Sequence, residues 1–90
     1  MNEQELKNLA EELFYIFSLV NPIPGGKNGI SERTAKVLAF EKYVQEQANW
    51  QIIHKYCAKF TQADMPHFQK IVSAETAQYL NQNAKTLALY

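Results

Sequence analysis

The sequence predicts an all-α protein, a small bundle of four to five helices without a sheet. Apolar residues recur every three or four positions in several segments, which is the period of an amphipathic helix. No segment shows the sustained apolar–polar alternation with β-branched enrichment that indicates a strand. All three glycines and two of the three prolines, the residues that interrupt helices, lie within residues 21–30.

The first helix is predicted over residues 3–20. Its apolar residues follow the helical period, and glutamates near its start suit the positive end of the helix dipole: Leu6, Leu9, Leu13, Phe14, Phe17 and Val20. Tyr15, Ile16 and Leu19 widen the apolar face beyond one stripe. A helix with so wide an apolar face is either central in a bundle or covered by a second subunit.

A long loop and a second helix follow. Asn21 precedes Pro22 and ends the first helix, because a residue before proline is disfavoured in the helical region. Ser31 is predicted as the N-cap of the second helix, with Glu32 in its first turn. Residues 31–60 contain neither glycine nor proline. They form either one long helix or two helices, the second capped by Asn49.

The last helical region begins at Asp64, the only aspartate, which precedes Met65 and Pro66. An acidic N-cap followed by proline in the first turn predicts a helix start. Ser73 and Thr76 either mark a second boundary or lie inside this helix. The apolar period continues from Tyr79 to Leu87, and the apolar residues 89–90 are expected to pack on the core or on a neighbouring molecule.

Composition predicts a single helical domain over residues 1–90, because two cores would each be too small. Nine basic residues balance nine acidic residues, whereas proteins that bind nucleic acid through phosphates carry a basic excess. Cys57 is the only cysteine, which excludes an intrachain disulfide and fits a reducing compartment. No apolar run is long enough for a membrane span, and the acidic N-terminus is unlike a signal peptide. We therefore expect a cytoplasmic protein without a membrane partner.

The loop and helix start at residues 22–34 form the predicted binding site. Glycines let backbone N–H groups converge, and a helix N-terminus offers further N–H donors. Side-chain donors beside them would suit a phosphate or carboxylate: Lys27, Asn28, Ser31, Arg33, Thr34 and Lys36. The glycine spacing differs from a phosphate-binding loop and no strand precedes it, so an ordinary connection between helices is the alternative.

Residues 29–34, read Gly-Ile-Ser-Glu-Arg-Thr, resemble the entry to the recognition helix of helix-turn-helix regulators. This resemblance implies a DNA-binding helix that starts near Ser31. The sequence departs from that family because residues 21–30 form a long Pro/Gly loop where a helix and a tight turn are expected. Its neutral net charge also argues against nucleic acid.

His54 and Cys57 are spaced like metal ligands on one helix face, but no second ligand pair accompanies them. Cys57 is in line with Ile53 and Phe60, so we expect it to pack as a small apolar residue. Glu11 and Glu12 are adjacent and point in different directions on a helix. We therefore predict no metal site, no cofactor and no enzymatic activity.

The leading functional hypothesis is a non-enzymatic binding or regulatory protein that acts through protein–protein contacts. Small neutral helical proteins of this kind include immunity proteins, inhibitors and adaptors, which is an analogy of fold alone. The wide apolar face of the first helix predicts a homo-oligomer, most simply a homodimer. The alternatives are a binder of a phosphate-bearing small ligand at the loop of residues 22–34 and a helix-turn-helix DNA-binding regulator.

Overall fold

A computed structural model describes residues 1–20 and 32–83. In these two stretches the chain forms four α-helices and no strand, so the predicted all-α class is confirmed: α1 (Glu3–Val20), α2 (Glu32–Gln45), α3 (Trp50–Tyr56) and α4 (Met65–Gln82). The predicted loop at residues 21–30, the predicted cap Ser31 and residues 84–90, which include the apolar residues 89–90, lie outside the described residues.

Helix α1 has the bounds that the apolar period predicts. Its start is a capping box that the sequence analysis did not identify. The backbone N–H of Glu5 donates to Asn2 Oδ1 at 2.8 Å, and the backbone N–H of Asn2 donates to Glu5 Oε1 at 3.0 Å. These bonds satisfy N–H groups that have no partner within the helix. Glu3, also in the first turn, adds negative charge at the positive end of the helix dipole.

Residues 32–56 form two α-helices, which decides between the two alternatives for this region. Glu46 takes extended backbone angles (φ −77°, ψ 106°), and a 3₁₀ turn, Gln47–Asn49, leads into α3. Asn49 precedes α3 as predicted, but its side chain does not cap that helix. Its Nδ2 donates instead to the carbonyl oxygen of Tyr43 at 2.7 Å. Asn49 therefore stabilises the break by satisfying one of the last carbonyl groups of α2.

Helix α4 begins directly after Asp64, as predicted, with Pro66 in its first turn. The predicted role of Asp64 is wrong in detail, because its carboxylate makes no capping bond to α4. It closes the preceding 3₁₀ turn, Gln62–Asp64, in a capping box with Thr61, whose backbone N–H donates to Asp64 Oδ2 at 3.0 Å. The α-amino group of Met1 lies 3.2 Å from Oδ1. These contacts, above all the Thr61 backbone bond, lower the pKa of Asp64, although burial opposes them.

Helix α4 continues unbroken to Gln82, so Ser73 and Thr76 lie inside it. Its direction relative to the other long helices follows from side-chain contacts. Near the start of α4, Gln69 Nε2 donates to the carbonyl oxygen of Val44, close to the end of α2, at 3.1 Å. The α-amino group of Met1 contacts Asp64, the residue before α4. The start of α1 therefore lies at the same end of the bundle as the start of α4. Helix α4 is therefore antiparallel to α2 and parallel to α1.

The core lies where α1, α2 and α4 meet, and α3 and the turn after it close one end. Eleven apolar side chains are buried there: Leu6, Leu9, Ala10, Phe40, Val44, Ile53, Phe60, Met65, Phe68, Ile71 and Val72. The rings of Phe60 and Phe68 meet edge to face with their centroids 5.2 Å apart. Burying each such side chain contributes about 1.5–3 kcal/mol, so Phe60 holds the connection between α3 and α4 on the core.

We expect Asp64→Asn to lower the free energy of unfolding by up to about 1 kcal/mol near neutral pH, because the backbone N–H of Thr61 and the α-amino group of Met1 lose their charged partner. The pKa of Asp64 is lower in the folded state than in the unfolded state. The ionised carboxylate therefore stabilises the folded state at pH values above its unfolded-state pKa of about 3.9, and this stabilisation is lost as the pH falls through its folded-state pKa. Urea unfolding at neutral and strongly acidic pH measures both effects.

Glu46→Gln is the matched control for this prediction. Glu46 precedes the other 3₁₀ turn, and its side chain makes no capping bond. The control should unfold at the urea concentration of the unchanged protein. An Asp64→Asn variant as stable as this control at neutral pH would contradict the role assigned to the carboxylate.

Candidate binding cleft

A cleft of about 260 Å³ lies between α1, α2 and α4, near the start of α2. Its walls combine aliphatic, aromatic and charged side chains from the three helices: Ala10, Glu11, Phe14, Arg33, Val37, Phe40, Val72, Glu75, Thr76 and Tyr79. Sites for small molecules usually have volumes of about 300–1,000 Å³. The cleft therefore suits a single side chain or a small group better than a nucleotide.

Arg33 lies at the mouth of the cleft against two aromatic rings. Its Cζ atom is 5.6 Å from the ring centroid of Phe14 and 5.9 Å from that of Tyr79. A guanidinium is attracted to the faces of such rings, and stacking restricts its orientation. The side chain is exposed, and none of the ion pairs within the described part of the chain includes it. Arg33 is thus an oriented cation without a carboxylate partner among these residues.

Thr34 fixes the position of Arg33 by tying the first turn of α2 to α4. Its side chain is 3% exposed, and its hydroxyl oxygen lies 3.1 Å from that of Tyr79. A buried hydroxyl without a hydrogen bond would cost free energy, so this contact favours one arrangement of the two helices. The same tyrosine therefore bonds to Thr34 through its hydroxyl group and contacts Arg33 through its ring.

Two carboxylates give the cleft a second charged region. Glu75 on α4 is exposed overall, but partial burial against the cleft raises its pKa. The neighbouring carboxylate of Glu11 raises this pKa further, and the ammonium group of Lys7 acts in the opposite direction. Ionised Glu75 is therefore less favourable here than in water. A cation from outside the protein would relieve this cost.

The predicted binding residues divide into three groups. Lys27, Asn28 and Ser31 lie outside the described residues. Arg33 lines the cleft. Thr34 belongs to the buried contact between α2 and α4, and Lys36 is half-buried, with its Nζ atom 3.1 Å from Glu32 Oε1. Of the three predicted residues that the structure describes, Arg33 alone lines the cleft.

The residues of α1 and α4 that complete the cleft were not predicted from the sequence. Phe14 and Tyr79 follow the apolar period, and we read them as core residues. Glu11 was compared with its neighbour Glu12, whereas its charge acts on Glu75, far along the chain. The only sequence signal was the position of Glu75 and Tyr79 one helical turn apart on α4. Their proximity to Arg33 depends on the register of three helices.

His54 and Cys57, which have the spacing of metal ligands, have other contacts. The Nδ1–H of His54 donates to the carbonyl oxygen of Phe60 at 2.7 Å. Cys57 is a half-buried free thiol that packs against the core. No group of three side chains suited to a metal ion occurs in residues 1–20 or 32–83.

The fold and the cleft define a helical bundle with a mixed apolar and charged cleft. No protein-family model matches the chain, and no curated protein or solved structure matches it either. Among the helices described, none is both long and apolar enough to cross a bilayer.

We expect Glu75→Gln to raise the free energy of unfolding at neutral pH, because it removes a charge that the cleft disfavours. The gain should stay below about 1 kcal/mol, since solvent screens this exposed side chain. A raised carboxyl pKa destabilises the folded state only where the group is ionised. This loss of stability is absent at pH values below the unfolded-state pKa of about 4.3, and it develops as the pH rises through the folded-state pKa of Glu75. Urea unfolding at about pH 7 and pH 4 should show a gain at the higher pH alone.

Glu12→Gln provides the control, because Glu12 is an exposed glutamate of α1 that does not line the cleft. It changes the net charge by the same amount. If both variants showed the same increase in the free energy of unfolding at neutral pH, the increase would come from the change in net charge. The unfavourable environment assigned to Glu75 in the cleft would then be wrong.

Proposed function

We propose that this protein is a non-enzymatic binding or regulatory protein that acts through contacts with another protein at the cleft between α1, α2 and α4. The observation that supports this proposal is Arg33, an exposed arginine held against two aromatic rings. Immunity proteins, inhibitors and adaptors act through such non-catalytic contacts. We also propose a cytoplasmic location, consistent with the free thiol of Cys57.

An oriented arginine favours protein binding for two reasons. Arginine and tyrosine are enriched among the residues that contribute most to protein–protein affinity. A side chain already held in place also loses less conformational entropy on binding than a mobile one. Arg33 and Tyr79 together therefore offer an amphipathic contact surface with a planar set of N–H donors.

The charges of the cleft indicate the chemistry of the partner. Arg33 would bind a carboxylate or a backbone carbonyl group of the partner. Glu11 and Glu75 would bind a basic side chain, which would relieve the cost of ionising Glu75. The volume of the cleft suits one such side chain. We therefore propose a partner that presents an acidic and a basic group close together.

We rank a phosphate-bearing small ligand lower at the cleft, because its two carboxylates would repel the negative charge. The predicted site for such a ligand was the loop and helix start at residues 22–34, of which residues 22–31 lie outside the described residues. We also rank DNA binding lower. A recognition helix presents several exposed donors near its start. In the first turns of α2 Arg33 is exposed, but it lies against Phe14 and Tyr79, Thr34 is buried and Lys36 is paired with Glu32.

We expect Arg33→Ala to abolish the capture of a stoichiometric protein partner from a lysate of the native host. Arg33→Lys should weaken capture, because an ammonium group keeps the charge but lacks the planar geometry that stacks on the rings. Tagged protein on a resin, with the bound fraction separated by electrophoresis and identified by mass spectrometry, provides the measurement. The affinity of the purified pair should fall at least about tenfold for Arg33→Ala.

Lys42→Ala is the matched control, because Lys42 is an exposed cation of α2 that does not line the cleft. It should capture the same partner as the unchanged protein. Capture that survives Arg33→Ala, or that is lost equally with Lys42→Ala, would rule out the cleft as the binding site. Retained helicity in the circular dichroism spectrum of each variant excludes unfolding as the cause.

A further inference from the structure

The cleft holds opposite charges that do not pair with one another. Arg33 lines it from α2, whereas Glu11 and Glu75 line it from α1 and α4. Within the described parts of the chain, no ion pair includes any of these three side chains. A ligand that carries both charges would therefore find an opposite charge for each of them at this one site.

The volume of the cleft limits the size of such a ligand. A sphere with the cleft volume of about 260 Å³ is about 8 Å across. An α-amino acid carries its ammonium and carboxylate groups on one carbon atom, so both charges and a short side chain fit within this width. A nucleotide or a peptide of several residues would extend beyond it. A small zwitterion therefore suits both the charges and the volume of the cleft.

The remaining lining of the cleft is mainly apolar. It includes four side chains that we call the floor: Ala10, Val37, Phe40 and Val72. Phe40 and Val72 belong to the buried core, so close packing holds them in place. An aliphatic side chain on this floor gains free energy in proportion to the apolar area removed from water. The floor therefore favours an aliphatic amino acid over glycine.

We propose that the cleft binds a free α-amino acid with an aliphatic side chain. The carboxylate of this ligand accepts hydrogen bonds from the guanidinium group of Arg33, and its ammonium group donates to the carboxylate of Glu75. Glu11 adds negative charge to the part of the cleft that receives the ammonium group. The aliphatic side chain packs on the floor.

The surroundings of Arg33 and Glu75 prepare both residues for this ligand. The ring centroids of Phe14 and Tyr79, 5.6 and 5.9 Å from the Cζ atom of Arg33, orient the guanidinium and reduce the entropy lost on binding. Burial and the charge of Glu11 raise the pKa of Glu75, and Lys7 offsets this only in part. An ammonium group beside Glu75 would favour its ionised form.

A ligand with only one charge suits the cleft less well. An anion would be attracted by Arg33 but repelled by the two carboxylates, and a cation would meet the reverse arrangement. A zwitterion gains from both ends of the cleft. Binding of an amino acid does not require the proposed protein partner, so the two proposals can fail separately.

L-Leucine is the probe, and ¹H–¹⁵N NMR spectra of the protein during a titration provide the measurement. We expect saturable shifts at the residues that line the cleft, with a dissociation constant on the order of 1 mM or lower. Leucinamide lacks the carboxylate, N-acetylleucine lacks the ammonium group and glycine lacks the side chain. Each of the three should bind at least about tenfold more weakly than leucine.

Two variants test the role given to each charge. Glu75→Gln should weaken leucine binding about tenfold but should not weaken binding of N-acetylleucine, which has no ammonium group. Arg33→Gln should weaken binding of leucine and of N-acetylleucine but not of leucinamide, which has no carboxylate. Glu12→Gln and Lys42→Gln are the matched controls, because they change the charge equally at exposed positions that do not line the cleft. Both controls should bind leucine as the unchanged protein does.

Three outcomes would overturn the proposal. The first is the absence of saturable shifts up to about 50 mM leucine, a concentration far above the expected dissociation constant. The second is equal binding of leucine and of either derivative that lacks one charge. The third is equal weakening of leucine binding by Glu75→Gln and Glu12→Gln, or by Arg33→Gln and Lys42→Gln. Circular dichroism of each variant should show unchanged helicity.

Discussion

Helix α4 packs against both α1 and α2, and the positions of the other elements follow from this arrangement. Its buried stripe includes Phe68, Ile71 and Val72 and continues one turn further to Thr76. Because the stripe extends along most of the helix, α1 and α2 must lie along it to cover its apolar surface. The cleft forms near the end of this contact, where the exposed charges of the three helices meet.

Polar contacts then select one register among the arrangements that would bury the same apolar surface. Thr34 and Tyr79 pair their hydroxyl groups near one end of the contact between α2 and α4, and Gln69 bonds to the backbone of Val44 near the other. A shift of one turn would leave these groups without their partners in a partly buried site. The register also places Arg33 over the ring of Tyr79, so the residues that align the helices also build the cleft.

The sequence was sufficient to predict the elements whose signals are local. The apolar period gave the bounds of α1, and Asp64 with Pro66 located the start of α4. The break between α2 and α3 has a weaker signal, because neither glycine nor proline lies there and Asn49 as a possible cap left one long helix equally open. It depends on the bond from Asn49 to the backbone of Tyr43 and on the burial of Ile53, both of which need the folded chain.

The candidate cleft could also be predicted only in part, because its contacts depend on how the helices pack against one another. Arg33 was chosen as a donor beside a glycine-rich loop, and the structure adds contacts that this choice did not include, with the rings of Phe14 and Tyr79. The apolar period of α1 and α4 showed that Phe14 and Tyr79 belong to the apolar faces of their helices. It did not show whether each lies at the centre or at the edge of that face. An edge residue can contact the core and a surface cation together, and only the crossing of helices decides this.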